Sequence, residues 1–344
     1  MKYDKLGNTD IKVSKICLGT MTFGEQNTES EAHEQLNYAV EQGVNFIDTA
    51  EMYAVPGREE TQGLTEKYIG TWLKDRKDRD QLVIATKVTG PSAMTWIRDG
   101  KGYNKDVFTT TIDNSLKRLQ TDYVDLYQLH WPMRKMNMFS VRGVTDIDHQ
   151  WEDNFQEILE GLDTLIKAGK VRNIGISNEN PWGMSRYLHL SEMHDLPRMA
   201  SIQNPYNLLN RTFEVGLSEM AIREKCGLLA YSPMGFGLLS GKFHKKKDTP
   251  NDRLNQFKQM ARYSSENSWK ATEAYMKIAE ASGMSLAEMS LAWVSSRPFV
   301  TSNIIGATNM DQLKENIGSI QIELEDSIIE AIEEVHKVIP NPAP

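Results

Sequence analysis

Three consecutive segments of the sequence, NFIDTA (residues 45–50), LTEKYIGTWLKDR (64–76) and LVIATKVTG (82–90), decide the fold. The first and third are short apolar runs, which is the pattern of strands buried on both faces of a parallel sheet. The second is longer and amphipathic, and it closes at charged residues as a surface helix does. Together they predict one strand–helix–strand unit with parallel strands.

The same alternation occurs eight times along the chain. Eight such units in one array predict an α/β fold of one closed sheet, a single (β/α)8 TIM barrel. A doubly wound open sheet is the competing architecture, but its first strand–helix turn carries a glycine fingerprint that GTMTFG (19–24) lacks. The predicted strand segments are SKICLGT (14–20), NFIDTA (45–50), LVIATKVTG (82–90), VDLYQLHW (124–131), VRNIGISN (171–178), MASIQNPY (199–206), GLLAYSPMG (227–235) and TSNIIGAT (301–308).

Segments at both ends of the chain lie outside this repeat. An N-terminal β-hairpin is expected to form a cap, and two further helices, at 285–297 and 324–339, are expected to cover the barrel openings or flanks. No Pro- or Ser-rich linker divides the chain, so we predict a single domain. The expected divisions of this domain (1–344) are the hairpin at 1–14, the barrel at 15–320 and the C-terminal helix and tail at 321–344.

The composition is that of an ordinary globular protein. Of 344 residues, 40% are hydrophobic and 25% charged, which excludes disordered and fibrous classes. A formal charge of −8 speaks against general nucleic-acid binding, and no apolar run approaches the roughly 18 residues of a membrane helix. Cys17 and Cys226 are too few for a disulfide framework or a cysteine zinc site. We therefore expect a cytoplasmic protein with no metal, membrane or nucleic-acid partner, and the oligomeric state stays open.

Polar side chains stand at the ends of three successive predicted strands. Asp48 ends the second strand, Lys87 the third and His130 the fourth, and Tyr53 follows five residues after Asp48. The C-terminal ends of barrel strands meet on one face, where barrel enzymes hold their sites. An ammonium beside a phenol favours the phenolate, so the group predicts a tyrosine tuned as a proton donor. The alternative is structural, with a plain Lys87–Asp48 salt bridge, a packing tyrosine and a hydrogen-bonded core histidine.

Three loops that follow strands are longer than a strand–helix connection needs, at 91–105, 132–150 and 235–268. In a barrel they converge on the C-terminal face. We interpret them as lids over the site, and the alternative is that they are insertions without a function.

The order of motifs resembles that of the aldo-keto reductases along nearly the whole chain. The phrases MTFGEQN (21–27) and ETQGLTE (60–66) make the sequence most similar to the Tas-like branch of bacterial members. The motifs that carry the resemblance are LGTMTFG (18–24), NFIDTAEMY (45–53), IATK (84–87), SLKRLQTDYVDLYQLHWP (115–132), IGISN (174–178), SIQNPYNLLNR (201–211), AYSPMGFGLLSGK (230–242) and IIGATNMDQLKEN (304–316).

The resemblance implies reduction of aldehydes and ketones to alcohols with NADPH. The family's tetrad of Asp, Tyr, Lys and His matches Asp48, Tyr53, Lys87 and His130. In these roles Tyr53 donates the proton, His130 orients the carbonyl, Lys87 lowers the tyrosine pKa and Asp48 holds Lys87 charged. A small-molecule carbonyl compound is the expected partner.

The resemblance also implies where the dinucleotide lies. Ser177, Asn178 and Gln203 are expected to hold the carboxamide, Tyr231 to stack on the nicotinamide, and Glu315 with Asn316 to bind the adenine. The glycines after the seventh strand are expected to let backbone amides approach a pyrophosphate. The remaining expected contacts are Gly19, Thr20, Met21, Asp48, Ser232, Pro233, Met234, Gly235, Phe236, Gly237, Leu238, Leu239, Ser240, Gly241, Gly306, Ala307, Thr308 and Gln312.

A preference for NADP requires cations at the adenosine 2′-phosphate. By resemblance to the branch that includes the potassium-channel β subunits, the candidates are Lys242 and Arg253, with Arg262 as an alternative. Many members of the family carry a basic residue at the position of Gln312, and this chain departs from that pattern.

Trp131 and Trp96 are the expected aromatic walls of a substrate pocket suited to apolar or aromatic carbonyl compounds. Two other functions stay open at this point. One is an NADP-bound regulatory or interaction protein with weak or vestigial reductase activity. The other is an aldolase that forms a Schiff base on Lys87.

Overall fold

Eight parallel strands close into a barrel in a computed structural model of the chain. The structure describes residues 1–139, 141, 143, 151–250, 252–256 and 262–344. A two-stranded antiparallel hairpin precedes the barrel. The predicted (β/α)8 TIM barrel and its N-terminal hairpin are therefore confirmed. The strands are β1 (Tyr3–Lys5), β2 (Lys12–Ser14), β3 (Ile16–Gly19), β4 (Phe46–Asp48), β5 (Val83–Val88), β6 (Val124–Leu129), β7 (Val171–Ser177), β8 (Met199–Pro205), β9 (Gly227–Tyr231) and β10 (Val300–Ile305).

Helices connect the strands. The helix bounds are α1 (Glu29–Glu41), α2 (Leu64–Leu73), α3 (Lys105–Leu119), α4 (Phe155–Lys167), α5 (Pro181–Met193), α6 (Leu217–Arg223), α7 (Arg253–Gln256), α8 (Glu266–Ala281), α9 (Leu286–Ser295), α10 (Met310–Gly318) and α11 (Asp326–Val338). The two helices expected outside the repeat are α9 and α11. No helix in the described ranges is both long and apolar enough to cross a lipid bilayer.

Local sequence sets where these helices begin. Thr28 caps α1, because its hydroxyl accepts from the Glu31 amide while the Glu31 carboxylate accepts from the Thr28 amide. Ser285 and Glu288 form the same reciprocal cap on α9. Such caps satisfy amides that a helix leaves unpaired at its first turn.

The N-terminal half of the barrel interior is apolar, and the hairpin seals it. Side chains of the hairpin and of seven barrel strands pack there in one cluster, which we call the apolar layer. Burial of a large side chain contributes about 1.5–3 kcal/mol, so the hairpin stabilises the barrel as well as covering it. The members of the apolar layer are Leu6, Val13, Cys17, Phe46, Val83, Ala85, Leu126, Ala200, Leu229 and Ile304.

The barrel closes where its first strand, β3, pairs with its last, β10. Flanking contacts tie the seam, since Ser302 Oγ donates to Ser14 O at 2.7 Å and Lys15 Nζ donates to Val300 O at 2.7 Å. A side chain at Gly19 would place its Cβ 2.7 Å from Ile304 Cγ2. The absence of a side chain at this position therefore lets the two strands approach.

Candidate active site

Four polar side chains form a second layer inside the barrel, above the apolar layer. We call this second layer the polar layer, and its members are Asp48, Lys87, Gln128 and Gln203. Strand residues alternate between the two faces of a sheet, so residues two positions apart share a face. Phe46 therefore points into the barrel below Asp48. All four residues of the polar layer are at least 97% buried.

Lys87 is the centre of this layer. Its Nζ donates to Asp48 Oδ2 at 2.6 Å and to the Thr49 carbonyl at 2.8 Å, and it lies 3.5 Å from Tyr53 Oη. Complete burial opposes the charged form of the lysine, but the Asp48 carboxylate and the Tyr53 phenol outweigh burial and raise the Lys87 pKa. Lys87 is therefore an ammonium group held against a phenol.

The loop after β4 brings Tyr53 over this ammonium. The Tyr53 amide donates to Ala50 O at 3.1 Å, and the Gly63 amide donates to Tyr53 O at 2.7 Å. The phenol ring meets the His130 ring edge-on, with 5.6 Å between centroids and 75° between planes. The hydroxyl thus lies within reach of Lys87 on one side, and the ring meets the imidazole on the other.

His130 is a neutral imidazole. Burial lowers its pKa well below 6.5, and the Lys87 ammonium lowers it further. Its Nδ1 is enclosed and has no hydrogen-bond partner among the described residues. A buried N–H without an acceptor is less tolerable than a buried lone pair, so we assign the proton to Nε2. The side chain can then donate one hydrogen bond from Nε2.

A cleft of about 720 Å³ opens above the polar layer. Tyr53 and His130 line it, together with Ser177, Asn178 and Tyr231 from the ends of β7 and β9. These groups hold each other: Tyr231 Oη donates to Asn178 Oδ1 at 2.6 Å, and Asn178 Nδ2 donates to His130 O at 2.9 Å. Ser177 Oγ donates to Gln203 O at 2.8 Å. The polar groups that line the cleft are therefore held in place by hydrogen bonds to one another.

Most of the residues expected at a dinucleotide do line this cleft. Those that do, besides the groups above, are Gly19, Thr20, Met21, Asp48, Gln203, Ser232, Pro233, Met234, Phe236, Gly237, Ser240, Lys242, Gly306, Ala307, Thr308, Gln312, Glu315 and Asn316.

Four residues of the segment after β9 do not line the cleft. Residues 235–240 form a short 3₁₀ turn that directs Leu238 and Leu239 into the hydrophobic core, where both are fully buried. Gly235 and Gly241 shape the turn, with φ of 52° and 74°. We had expected all four at the ligand, but the tight turn directs the two consecutive leucines inward.

The helix after β10 is already capped. Asn309 Oδ1 accepts from the Gln312 amide at 3.0 Å, and Gln312 Oε1 accepts from the Thr308 amide at 3.0 Å. The first turn of α10 therefore offers fewer free amides to an anion than the sequence implies. Glu315 accepts from Ser285 Oγ at 2.6 Å, and Asn316 Nδ2 donates to Gly306 O at 3.1 Å.

Cations lie along the cleft from β9 outward. Lys242 forms an ion pair with Asp252, and both line the cleft. Arg262 lines it too, and its guanidinium lies 5.1 Å from the centre of the Tyr263 ring. Arg253 begins α7, but its side chain lies outside the described residues. Arg262 has no carboxylate partner in the described part of the chain, and its side chain is hydrogen-bonded to Tyr231 and Tyr263.

A model of the aldo/keto reductase family matches residues 15–337 of the chain. The chain belongs to this family. The reductase is 49% identical to Protein tas of Escherichia coli over 346 residues, which cover 100% of both chains. It is 31% identical to the uncharacterized oxidoreductase YrpG of Bacillus subtilis, over 97% of this chain and 96% of that one. The expected resemblance to the Tas-like branch is confirmed, and the chain is an oxidoreductase.

A more distant relative carries a more specific name. The reductase is 29% identical to the probable aryl-alcohol dehydrogenase AAD4 of Saccharomyces cerevisiae, over 91% of this chain and 89% of that one.

The outer wall of the cleft is apolar. Trp131 packs over Gly90, where a Cβ would lie 2.4 Å from the indole, and its Nε1 donates to Pro91 O at 2.8 Å. Phe139 meets Trp131 edge-on at 5.9 Å between centroids. Trp96, which we had expected in the same wall, is 37% exposed and does not line the cleft.

The loop that carries Trp96 explains its position. Arg98 forms an ion pair with the buried Glu51 and donates to Thr89 O at 2.9 Å and Gly102 O at 2.7 Å. These contacts tie the loop at 91–105, which we expected to act as a lid, to the strand ends. None of its residues lines the cleft. The expected lids at 132–150 and 235–268 fall partly outside the described residues.

Sequence reasoning missed several site residues. Gln128 belongs to the polar layer, and Met52, Val55 and Phe139 line the cleft. A signal for Gln128 was present, because it lies two positions before His130 in a strand and therefore shares its face. The other three lie in loops, where no periodicity reports direction.

Proposed function

We propose that this aldo/keto reductase reduces aldehydes and ketones to alcohols with NADPH, and that Tyr53 donates the proton to the carbonyl oxygen. One observation carries the proposal. Lys87 Nζ lies 2.6 Å from Asp48 Oδ2 and 3.5 Å from Tyr53 Oη. A buried chain of polar contacts therefore runs from Asp48 to the Tyr53 hydroxyl in the cleft. A salt bridge kept only for stability requires neither this phenol nor the imidazole beside it.

The residues of the cleft fit a nicotinamide dinucleotide. Ser177, Asn178 and Gln203 present hydroxyl and amide groups that match a carboxamide, and Tyr231 offers a fixed ring for stacking. The glycine turn and the Arg262 guanidinium at the cleft suit a pyrophosphate. When bound, the reduced nicotinamide supplies the hydride for the carbonyl carbon.

Each member of the tetrad has a physical task in this proposal. Negative charge develops on the carbonyl oxygen as its carbon is reduced, and Tyr53 Oη gives that oxygen a proton. The Lys87 ammonium stabilises the phenolate that remains, and Asp48 keeps the ammonium charged and in place. His130 donates its Nε2–H to the same oxygen and orients the substrate.

We propose NADPH rather than NADH because cations gather at the outer end of the cleft. A second cavity of about 810 Å³ adjoins it there, and its lining holds three cations, Arg58, Lys242 and Lys247, and two carboxylates, Glu25 and Asp252. A 2′-phosphate entering this cavity would meet the Lys242 ammonium, which Asp252 holds in position. Fluorescence titration should give a Kd for NADPH about tenfold or more below that for NADH. Equal values would remove the claim of a preference.

We propose apolar or aromatic carbonyl compounds as substrates. Trp131, Phe139, Met52 and Val55 make the wall beside Tyr53 apolar. The name of the yeast relative, a probable aryl-alcohol dehydrogenase, agrees with this choice. We expect kcat/KM for benzaldehyde to exceed that for a small charged aldehyde such as glyoxylate, and the reverse order would contradict the assignment.

The replacement Tyr53→Phe tests the central assignment. Loss of the proton donor should reduce the rate of NADPH oxidation by about 10²–10⁴-fold, because general acid catalysis is worth that much. The Kd for NADPH should stay within about twofold, since the substituted atom faces the substrate. Turnover retained in the variant would overturn the proposal. A wild-type protein that binds NADPH tightly but reduces no carbonyl compound would instead favour a regulatory protein.

We also propose a cytoplasmic location. Cys17 and Cys226 are both buried free thiols, which fits a reducing compartment. Fractionation of cells that express the chain tests this directly.

A further inference from the structure

Gln128 belongs to the polar layer and is fully buried, yet it does not line the cleft. Its Nε2 donates to Asp48 Oδ1 at 3.0 Å, and its Oε1 accepts from Gln203 Nε2 at 3.1 Å. Gln203 Nε2 also donates to Asp48 Oδ1, at 2.9 Å. Gln128 therefore joins the catalytic carboxylate to a side chain at the cleft surface.

The carboxylate fixes which way both amides point. An ionised carboxylate has only acceptor atoms, so each glutamine must turn its amino group toward Asp48. With its nitrogen at Asp48, Gln128 has only its oxygen left to face Gln203. The contact between the two glutamines then requires an N–H of Gln203 as donor. Only one orientation of the two amides gives a donor and an acceptor in all three contacts.

This arrangement uses both N–H groups of Gln203. One is held by Asp48 and the other by Gln128, and no described side chain donates to Gln203 Oε1. Gln203 itself lines the cleft. The atom that it can present to a ligand is therefore a carbonyl oxygen, a pure acceptor.

We propose that Gln128 is a positioning residue that locks the amide of Gln203 so that Oε1 faces the amino group of the cofactor's carboxamide. This inference rests on the proposed function, because it assumes a nicotinamide in the cleft. Without Gln128 the Gln203 amide keeps its amino group at Asp48 but loses its second anchor, so it can swing about that one hydrogen bond. Its oxygen is then no longer presented in one direction.

The test compares two cofactors in binding rather than in turnover. The 3-acetylpyridine analogue of NADPH has a methyl group in place of the carboxamide amino group, and so it cannot donate to Gln203. We expect the wild type to bind NADPH about five- to tenfold more tightly than the analogue, the usual effect of one hydrogen bond. In Gln128→Met, which has similar size and no hydrogen-bonding amide, the ratio should fall to about twofold or less.

Two further variants make the result specific. Tyr127→Phe is the matched control, since Tyr127 is the preceding residue on β6 and its hydroxyl has no partner among the described residues. It should keep the wild-type ratio. Gln128→Glu keeps an oxygen that accepts from Gln203 in either protonation state, so it should also keep the ratio. Gln128→Leu carries the test if Gln128→Met does not fold.

The outcomes separate this inference from the proposed function. Failure of the wild type to bind NADPH would remove the proposed function and this inference with it. Tight NADPH binding with an unchanged ratio in Gln128→Met or Gln128→Leu would leave the proposed function standing and overturn the role of Gln128, and so would loss of the ratio in Gln128→Glu. If Tyr127→Phe also loses the difference in affinity between NADPH and the analogue, the effect is one of strand packing in general. That result would equally overturn the role of Gln128.

Discussion

The two ends of the barrel interior are opposites built from the same strands. On β5, Ala85 lies in the apolar layer and Lys87 in the polar layer; on β6, Leu126 and Gln128 repeat the arrangement. One end excludes all charge, whereas the other buries an ammonium and a carboxylate 2.6 Å apart. A buried ion pair is weak evidence for stability, because its desolvation cancels much of its attraction. The apolar layer therefore stabilises the barrel, whereas the polar layer has its role in the proposed chemistry.

The largest effect should come from breaking the ion pair on one side. Lys87→Met leaves the Asp48 carboxylate buried without its cation, which should lower the free energy of unfolding by about 3–5 kcal/mol and abolish carbonyl reduction. Denaturant unfolding and NADPH oxidation measure the two effects. The double variant Asp48→Leu with Lys87→Met should recover most of the stability and none of the activity. A double variant as unstable as the single one would mean that the polar layer contributes to folding.

A change in the apolar layer should have the converse result. Leu126→Ala leaves a cavity beneath the polar layer and should lower the free energy of unfolding by about 2–4 kcal/mol. The Kd for NADPH and kcat/KM should stay close to wild type at temperatures where the variant is folded. A large loss of kcat/KM without a change in stability would contradict the division of tasks between the layers.

The smallest expected effect is on the pH dependence of the free energy of unfolding, and it comes from His130 beside the polar layer. Because the folded-state pKa of His130 is well below 6.5, the unfolded chain takes up a proton as the pH falls through about 6.5 and the folded chain does not. The unfolded state binds more protons there, so the free energy of unfolding falls with falling pH, by up to about 1.4 kcal/mol per pH unit. His130→Gln lacks this group and should show a shallower fall between pH 6.5 and 5. Equal slopes would mean that His130 is protonated in the folded protein.

The sequence predicted the barrel, and it predicted that Asp48, Lys87 and His130 lie together on one face, because both depend on strands. Apolar runs mark the strands, and a polar residue at the end of such a run marks the C-terminal face, as at Asp48, Lys87 and His130. Tyr53 was found through the family resemblance and its distance from Asp48. The strand signals are local in the sequence, so they can be recognised without knowledge of the tertiary structure.

The features that the sequence did not predict depend on contacts between segments that are distant along the chain. Nothing near Leu6 or Val13 indicates that the hairpin enters the barrel interior, and nothing near Trp96 indicates that Arg98 ties its loop away from the cleft. Leu238 was expected at the ligand because its neighbours are, but the 3₁₀ turn sends it to the core. Direction in a loop is set by its tertiary partners, which a sequence pattern does not report.

The seam between β3 and β10 bears on how the chain is made. The hydrogen bond from Ser302 to Ser14 joins residues 288 positions apart, so the ring of strands stays open until almost the whole polypeptide has left the ribosome. Until then the nascent sheet exposes two unpaired edges, which invite pairing with other chains. Pairings between such distant segments also form slowly. We therefore expect assembly to be limited by this last closure and the yield of native protein to improve when translation is slowed or chaperones are abundant.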